Sequence, residues 1–142
     1  MRRASTPTMA RLVLDSGGLG ALCGTSHQAR ERLRWISRHL GDVLIPTGIL
    51  VECVTGDGGR DAEINRILRI LLGDEAAFVG GDERTARRAG ALRFAARSDD
   101  GIDALVAAVA VGDGSPAVVL TSDPIDLARL VAEAPNVAVR KV

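Results

Sequence analysis

The chain has 142 residues, the length of a single domain, and 46% of them are hydrophobic while only 2% are aromatic. Its 18 basic and 18 acidic residues cancel to a formal net charge of zero, which argues against a protein that coats nucleic acid by bulk attraction alone. No apolar stretch reaches the roughly 18 residues of a membrane span. We therefore expect a cytoplasmic protein that does not bind membranes and whose core is built from aliphatic layers.

Residues 1–10 are polar and basic, and they lack the apolar segment of a signal peptide. We expect them to form a flexible N-terminal leader. A single domain is then predicted over residues 11–142.

Short apolar runs alternate with helical patterns along the chain. The runs typical of strands are residues 11–15, 43–45, 76–79, 117–121 and 137–140. Patterns typical of helices cover residues 27–40, 47–54, 61–72, 82–97, 101–111 and 124–133. A small-residue turn at 16–18 and a short helix through residue 23 are predicted after the first strand. Strands separated by helical crossovers predict an α/β protein, with a parallel sheet flanked by helices on both faces.

Capping residues and glycines mark the predicted ends of the helices. Ser26, Thr47 and Asp82 are predicted N-caps of the helices that follow them. Gly41 and Gly73 are predicted to end the helices that precede them. The glycines at 56, 58 and 59 are predicted to separate two helices.

Four acidic residues stand within or directly after apolar runs: Asp15, Glu52, Asp103 and Asp123. A carboxylate carried toward a core must be paired, hydrogen-bonded or bound to a metal, and no Lys or Arg lies inside these apolar contexts. Parallel α/β folds bind ligands beyond the carboxyl ends of strands, where Asp15 and Asp123 fall. Several carboxylates converging on one cleft predict a site for Mg²⁺ or Mn²⁺.

Each acid also has a purely structural explanation. Asp15 and Asp123 can cap the helices that follow them, and Asp103 is favoured by the dipole of the first helical turn. Glu52 can occupy an exposed position of a partly buried helix. Asp126, one turn after Asp123, competes with it as a ligand. Four independent explanations are needed if the acids are unrelated, whereas one shared site accounts for all four.

Other chemistries find little support. The sequence contains no GxGxxG after a strand, no Walker phosphate loop and no GxSxG elbow. Cys23 and Cys53 lack CxxC spacing and are expected to be reduced, buried thiols. With only two histidines, a Cys/His zinc site is not expected.

Four segments together resemble a known family. They are LVLDSGGLGAL around Asp15, PTGILVECVTG around Glu52, GIDALVAAVAVGDG with Asp103 and AVVLTSDPIDLARL with Asp123. In this order they resemble a PIN domain, over about residues 11–140. The size of the chain and the order of its acids are similar to those of the toxin in VapBC-type toxin–antitoxin pairs.

The resemblance implies a three-layer α/β fold with a five-stranded parallel sheet. It also implies an endoribonuclease that depends on Mg²⁺ or Mn²⁺. The four acids of the family match Asp15, Glu52, Asp103 and Asp123, and Asp126 is an alternative match for the last.

The same resemblance implies supporting residues and partners. Ser16 and Thr121 would supply hydroxyls beside the site. RNA is the implied substrate, a cognate antitoxin the implied partner and a homodimer the implied assembly. Helices 27–40 and 61–72 are candidate interaction surfaces, and the short helix at 19–23 borders a candidate antitoxin groove. Two competing interpretations are a catalytically inactive PIN-like binding module and a metal-dependent phosphatase or DNA nuclease of similar fold.

Overall fold

A five-stranded parallel sheet flanked by helices forms the centre of the computed structural model. The structure describes residues 9–72 and 78–142. The strands are β1 (Ala10–Leu14), β2 (Leu40–Pro46), β3 (Phe78–Val79), β4 (Ala117–Thr121) and β5 (Val137–Lys141). The helices are α1 (Ser16–Leu22), α2 (His27–His39), α3 (Gly48–Cys53), α4 (Gly58–Leu72), α5 (Glu83–Ala96), α6 (Gly101–Val111) and α7 (Pro124–Leu130). The predicted α/β fold is confirmed.

The order of the strands places two chain segments with acids side by side. The sheet runs β3-β2-β1-β4-β5, so the central strand β1 pairs with β2 on one side and with β4 on the other. After β1 the chain builds outward through β2 and β3, and it then crosses to β4 and β5. The strand order therefore reverses between β1 and β4, and their carboxyl ends, followed by Asp15 and Asp123, share one edge.

The core is aliphatic, as the composition predicted. Leu12, Val13 and Leu14 of β1 are fully buried, because helices cover both faces of the central strand. Helix α6 is buried along most of its length, and its alanines let it approach the sheet and α5 closely. Cys53 is buried, Cys23 is half-buried, and both are free thiols. Across residues 9–72 and 78–142, no helix is both long and apolar enough to cross a membrane.

Arg11 is a charged residue within β1, and it binds the end of α6. Its Nη1 donates to the carbonyl of Val109 at 3.2 Å, and its Nη2 donates to the carbonyls of Ala110 and Ser115 at 2.9 Å each. The last carbonyls of a helix lack partners within the helix. Arg11 satisfies two of them, and the amide of Asn136 donates to a third, that of Val111, at 3.1 Å.

Two predicted caps are confirmed, and a third is wrong in its detail. The Ser26 hydroxyl accepts from the Ala29 N–H at 3.1 Å, and Asp82 accepts from the Thr85 N–H at 2.7 Å. Thr47 precedes α3 as predicted, but its side chain makes no capping hydrogen bond.

Several predicted boundaries are wrong because tertiary contacts override local preference. The small-residue turn at 16–18 is the first turn of α1. Gly41 does not end α2, since β2 begins at Leu40 without an intervening turn. The glycines at 58 and 59 lie inside α4, whose first N–H groups bond to Asp57. The last helix ends at Leu130 rather than at residue 133.

Some predictions fall outside the described residues. They are most of the predicted leader (residues 1–8), the predicted end of helix 61–72 at Gly73, and the start of the third predicted strand at residues 76–77.

Replacing Arg11 tests whether it fixes α6 to β1. We expect Arg11→Met to lower the free energy of unfolding by about 2–4 kcal/mol, because methionine keeps the apolar stem but leaves several carbonyls without a charged donor. Urea unfolding followed by circular dichroism measures the change. Arg30→Met, at an exposed position of α2, is the matched control, and equal unfolding midpoints for the two variants would contradict the assignment.

Candidate active site

Asp15 lies directly after β1, where it caps α1. Asp15 is only 7% exposed, and its Oδ1 accepts a hydrogen bond from the Gly18 N–H at 2.6 Å. Burial raises the pKa of this carboxyl above its ordinary value, although the Thr121 hydroxyl and the Gly18 N–H both favour the ionised form. The nearby charge of Asp123 raises the pKa further. The cap, which the sequence offered as a structural explanation for this acid, is present.

Two glycines let α1 approach the end of β4. A Cβ on Gly18 would lie 2.0 Å from the backbone oxygen of Leu120, and a Cβ on Gly17 would lie 2.1 Å from Oγ of Ser122. Residue 20, also glycine, has nothing within 4 Å of such a Cβ. This contact was not predicted from the sequence. The signal that could have indicated it is the Gly-Gly pair just after an acid that ends a strand.

Glu52 comes from α3 and reaches the start of α1. Glu52 is exposed, and its Oε2 accepts a hydrogen bond from the Ser16 hydroxyl at 3.2 Å. Since Ser16 follows Asp15 directly, this hydrogen bond places the Glu52 carboxylate at the edge of the sheet where β1 ends. The hydroxyl predicted beside the site therefore contacts one of the predicted acids.

Asp103 lies in the first turn of α6 and is half-buried. Its pKa is raised to about 6, first by burial and then by the negative charges of Asp100, Asp15, Glu52 and Asp126. Asp100 is also the N-cap of this helix, with Oδ1 accepting from the Asp103 N–H at 2.9 Å. The influence of Asp15 and Glu52 on this carboxyl indicates that the three acids face a common space.

Asp123 and Asp126 approach this space from the start of α7. Asp123 is the N-cap residue, but its side chain makes no capping hydrogen bond, and its own N–H donates to the Thr121 hydroxyl at 3.0 Å. Asp126 is partly neutralised by Arg129, whose Nη1 lies 3.6 Å from its Oδ1. Asp123 acts electrostatically on Asp15 and Asp126 acts on Asp103, so both remain candidates for the last ligand.

The acids are neighbours but do not form a closed set of ligands. Among residues 9–72 and 78–142, no three His, Cys, Asp or Glu side chains lie close enough to hold an ion as placed. Within the same ranges, no salt bridge engages Asp15, Glu52, Asp103 or Asp123. Uncompensated carboxylate oxygens suit a hard cation, and Mg²⁺ retains water molecules that bridge longer gaps. The donor chemistry therefore fits the predicted metal, while the role of each acid stays a prediction.

The chain matches a known family over most of its length. A model of the PIN domain matches residues 12–132, a span that includes every acid of the candidate site. The chain belongs to the PIN domain family. PIN domains are generally nucleases, and those nucleases generally use divalent metal ions. No curated protein matches the chain.

Solved structures share the fold of this PIN domain at low sequence identity. VapBC2 from Rickettsia felis, bound to a DNA fragment from its promoter, gives a TM-score of 0.68 at 13% identity, covering 93% of this chain and 98% of the other. DNA-bound VapBC from Salmonella typhimurium gives 0.62 at 18% identity, with 94% and 98% covered. FitAB bound to an IR36 DNA fragment gives 0.63 at 17% identity, with 92% and 94% covered.

A series of alanine substitutions in α1 tests the contact with β4. We expect Gly18→Ala to lower the free energy of unfolding by about 1–3 kcal/mol, because its methyl group meets a backbone oxygen that cannot rotate away. Gly17→Ala should cost less, since the serine side chain that it meets can move. Gly20→Ala is the control and should be neutral or slightly stabilising. Thermal unfolding measures the stability of the three variants, which should rise from Gly18→Ala through Gly17→Ala to Gly20→Ala. A different order would contradict the contact.

The raised pKa of Asp103 predicts how the stability of the metal-free protein depends on pH. Its folded pKa of about 6 exceeds the ordinary value of 3.8, so folding favours the protonated form. This contribution is fully present below about pH 4 and is lost as the pH rises through about 6. Asp103→Asn should therefore stabilise the protein at pH 7.5, by roughly 1 kcal/mol once solvent screening is allowed for.

Urea unfolding in EDTA between pH 4.5 and 7.5 measures this difference. Asp99→Asn, which removes an exposed acid of the preceding turn, is the control. A stability difference between Asp103→Asn and the unaltered chain that stays constant with pH would contradict the shift.

Proposed function

We propose that this PIN domain is a metal-dependent endoribonuclease and the toxin of a type II toxin–antitoxin system. The observation that supports catalysis best is the group of acids at the end of β1, in α3 and α6, and at the start of α7, where the strand order reverses. Burial raises the pKa of both Asp15 and Asp103, and the charge of Asp123 on Asp15 and of Asp15, Glu52 and Asp126 on Asp103 raises it further, as expected for a cation site without its cation. The fold shared with VapBC and FitAB proteins supports the toxin assignment.

Asp15, Asp103 and Asp123 would hold Mg²⁺ or Mn²⁺ directly or through water, with Asp126 as the alternative to Asp123. A bound ion would polarise the phosphodiester and lower the pKa of the attacking water. The Gly18 N–H holds one oxygen of Asp15 in place, so that carboxylate needs little reorganisation to act as a ligand. Uncompensated carboxylates also repel an RNA backbone, which makes binding as well as cleavage dependent on the metal.

Glu52 would complete the pocket and orient a water molecule. The Ser16 hydroxyl occupies its Oε2, leaving Oε1 to accept from that water. A hydroxyl-anchored carboxylate of this kind positions a nucleophile more precisely than a free side chain does. Thr121, which is fully buried, supports Asp15 in the same way from β4.

A cognate antitoxin is the proposed regulatory partner in the cytoplasm. A cavity of about 370 Å³ between α1, α3 and α4 supports this part of the proposal. Leu19, Cys23, Cys53 and Ile64 give it an apolar wall, and Ser16 joins it to the acids. A helical segment of the antitoxin would dock in this groove and obstruct the neighbouring acids.

Removing the charge of Asp15 tests the nuclease proposal. Asn keeps the shape of Asp and still caps a helix, so the fold should be retained. We expect Asp15→Asn to slow Mg²⁺-dependent cleavage of single-stranded RNA by at least about 100-fold, since even the loss of a residue that only supports a ligand costs 10–100-fold. Gel analysis of a labelled RNA, with and without EDTA, measures the rate.

Asp99→Asn is the matched control and should cleave like the unaltered chain. Cleavage by Asp15→Asn at the original rate would refute the metal mechanism. An unaltered chain that cleaves no RNA but binds a protein or RNA partner would instead support the inactive binding module. Preferential hydrolysis of DNA would indicate a DNA nuclease, and preferential hydrolysis of a phosphomonoester would indicate a phosphatase.

Self-association is the remaining part of the proposal. Ile70 of α4, one of the two predicted interaction helices, is 55% exposed. We expect light scattering to give the mass of a dimer at micromolar concentration, and Ile70→Glu to shift it toward the monomer. Ile125→Glu, at an exposed position of α7, should leave the mass unchanged. A monomeric unaltered chain would refute the dimer.

A further inference from the structure

A second cavity, of about 350 Å³, lies at the carboxyl edge of the sheet, beside α2 and the ends of β4 and β5. Its apolar side is formed by Trp35, Ile36, Leu120 and Val142. This volume is within the range of about 300–1,000 Å³ that is usual for pockets that bind small molecules. The roles proposed above for the acids and for the groove beside α1 do not involve it.

An aromatic ring and a guanidinium group form a stacked pair in this cavity. The guanidinium carbon of Arg140 lies 4.4 Å from the ring centroid of Trp35. The imidazole of His39 is stacked with the same indole, with the centroids 5.3 Å apart and the planes inclined by 23°. Indole rings and guanidinium planes are the two kinds of side-chain surface on which unpaired nucleobases stack.

The cavity carries two cationic side chains besides the arginine of the stacked pair. Arg32, Arg140 and Lys141 all line the cavity, and Arg32 is held in place by donating to the Ala21 carbonyl at 3.1 Å. Glu31 also lines it, but an ion pair with Arg34 offsets its charge. A cavity that combines a stacking surface with several cations is complementary to a nucleotide, which has a flat base and an anionic phosphate.

The cavity lies close to the candidate active site. Lys141 is paired with Thr121 in the register of the sheet, and Thr121 interacts with Asp15. Leu120 precedes Asp123 by three residues, which is roughly 10 Å along an extended chain. An RNA strand with one phosphate at the acids would therefore bring a nearby nucleotide to the cavity.

We infer that this cavity binds an unpaired base of single-stranded RNA together with its phosphate, and so contributes to substrate selection. The base stacks against the Trp35–Arg140 pair, and Lys141 and Arg32 contact the phosphate. Bases inside an RNA helix are not accessible to such a pocket, which gives a preference for single strands. The inference rests on the proposed function, since it assigns a base contact to the same RNA substrate.

The fluorescence of Trp35 provides a direct test, because this residue is the only tryptophan of the chain. The Asp15→Asn chain, in Mg²⁺, is titrated with a single-stranded oligoribonucleotide that it should not cleave. We expect saturable quenching of the tryptophan emission. An abasic oligonucleotide of the same length should bind about tenfold more weakly and quench little, and inorganic phosphate should not quench.

Variants separate the cavity from general charge attraction. Arg140→Gln should weaken binding of a labelled oligoribonucleotide about tenfold by anisotropy, whereas Arg30→Gln, which removes an equal charge outside the cavity, should change it less than about twofold. Trp35→Leu should weaken binding to a similar extent as Arg140→Gln. Trp35→Phe, which keeps an aromatic face, should retain most of the affinity for the oligoribonucleotide that Trp35 provides.

Equal quenching by the intact and abasic oligonucleotides, or equal effects of Arg140→Gln and Arg30→Gln, would overturn the inference. So would quenching by an antitoxin segment and not by RNA, which would make the cavity a protein interface. The two proposals fail separately. A chain that cleaves RNA without any fluorescence change refutes the base pocket alone, and a chain that binds RNA in the cavity but never cleaves it refutes the nuclease alone.

Discussion

The candidate site depends on the contact between the backbone of α1 at Gly18 and the carbonyl of Leu120 at the end of β4. This contact needs a residue without a side chain, because a methyl group there would overlap a backbone oxygen at 2.0 Å. It holds the first turn of α1 against β4, with Asp15 at its N-cap and Ser16 next to it. From there, a hydrogen bond from Ser16 reaches Glu52 of α3, while the Thr121 hydroxyl of β4 interacts with the Asp15 carboxylate. One close approach of two backbones thus brings three segments together.

Electrostatics work against this assembly when no cation is present. Burial and like charge raise the pKa of both Asp15 and Asp103, so the fold holds these acids where ionisation is less favourable than in water. Hydrogen bonds from Gly18 and Thr121 offset part of the cost at Asp15. Natural proteins retain such unfavourable groups mainly where chemistry needs them, which is why the acids carry more functional information than the apolar core does.

The fold was predictable from sequence wherever burial alone decides the structure. Three elements that are covered on both sides contain continuous apolar runs, at residues 12–14 of β1, 117–120 of β4 and 104–111 of α6. Local propensity failed at glycines: α1 begins with Ser-Gly-Gly and α4 with Gly-Gly, and tertiary contacts or an aspartate cap outweigh their weak helix preference.

The site acids were identifiable as costly residues, but the bond between Ser16 and Glu52 joins residues 36 positions apart, and nothing local encodes it. The choice between Asp123 and Asp126 depends on where α7 starts relative to β4, which the sequence does not specify.

The bonds of Arg11 to the end of α6 have a consequence for the cleft at the other side of the molecule. Arg11 and Asp15 lie near opposite ends of β1, and Ala110 and Asp103 lie near opposite ends of α6. Arg11 therefore fixes the strand to the helix at the end opposite to the two carboxylates, in addition to the packing of α6 along the sheet. Because both elements are rigid, the spacing between Asp15 and Asp103 depends in part on hydrogen bonds that lie about ten ångströms or more away and never meet the substrate. A search for distant variants that alter activity should begin at these hydrogen bonds.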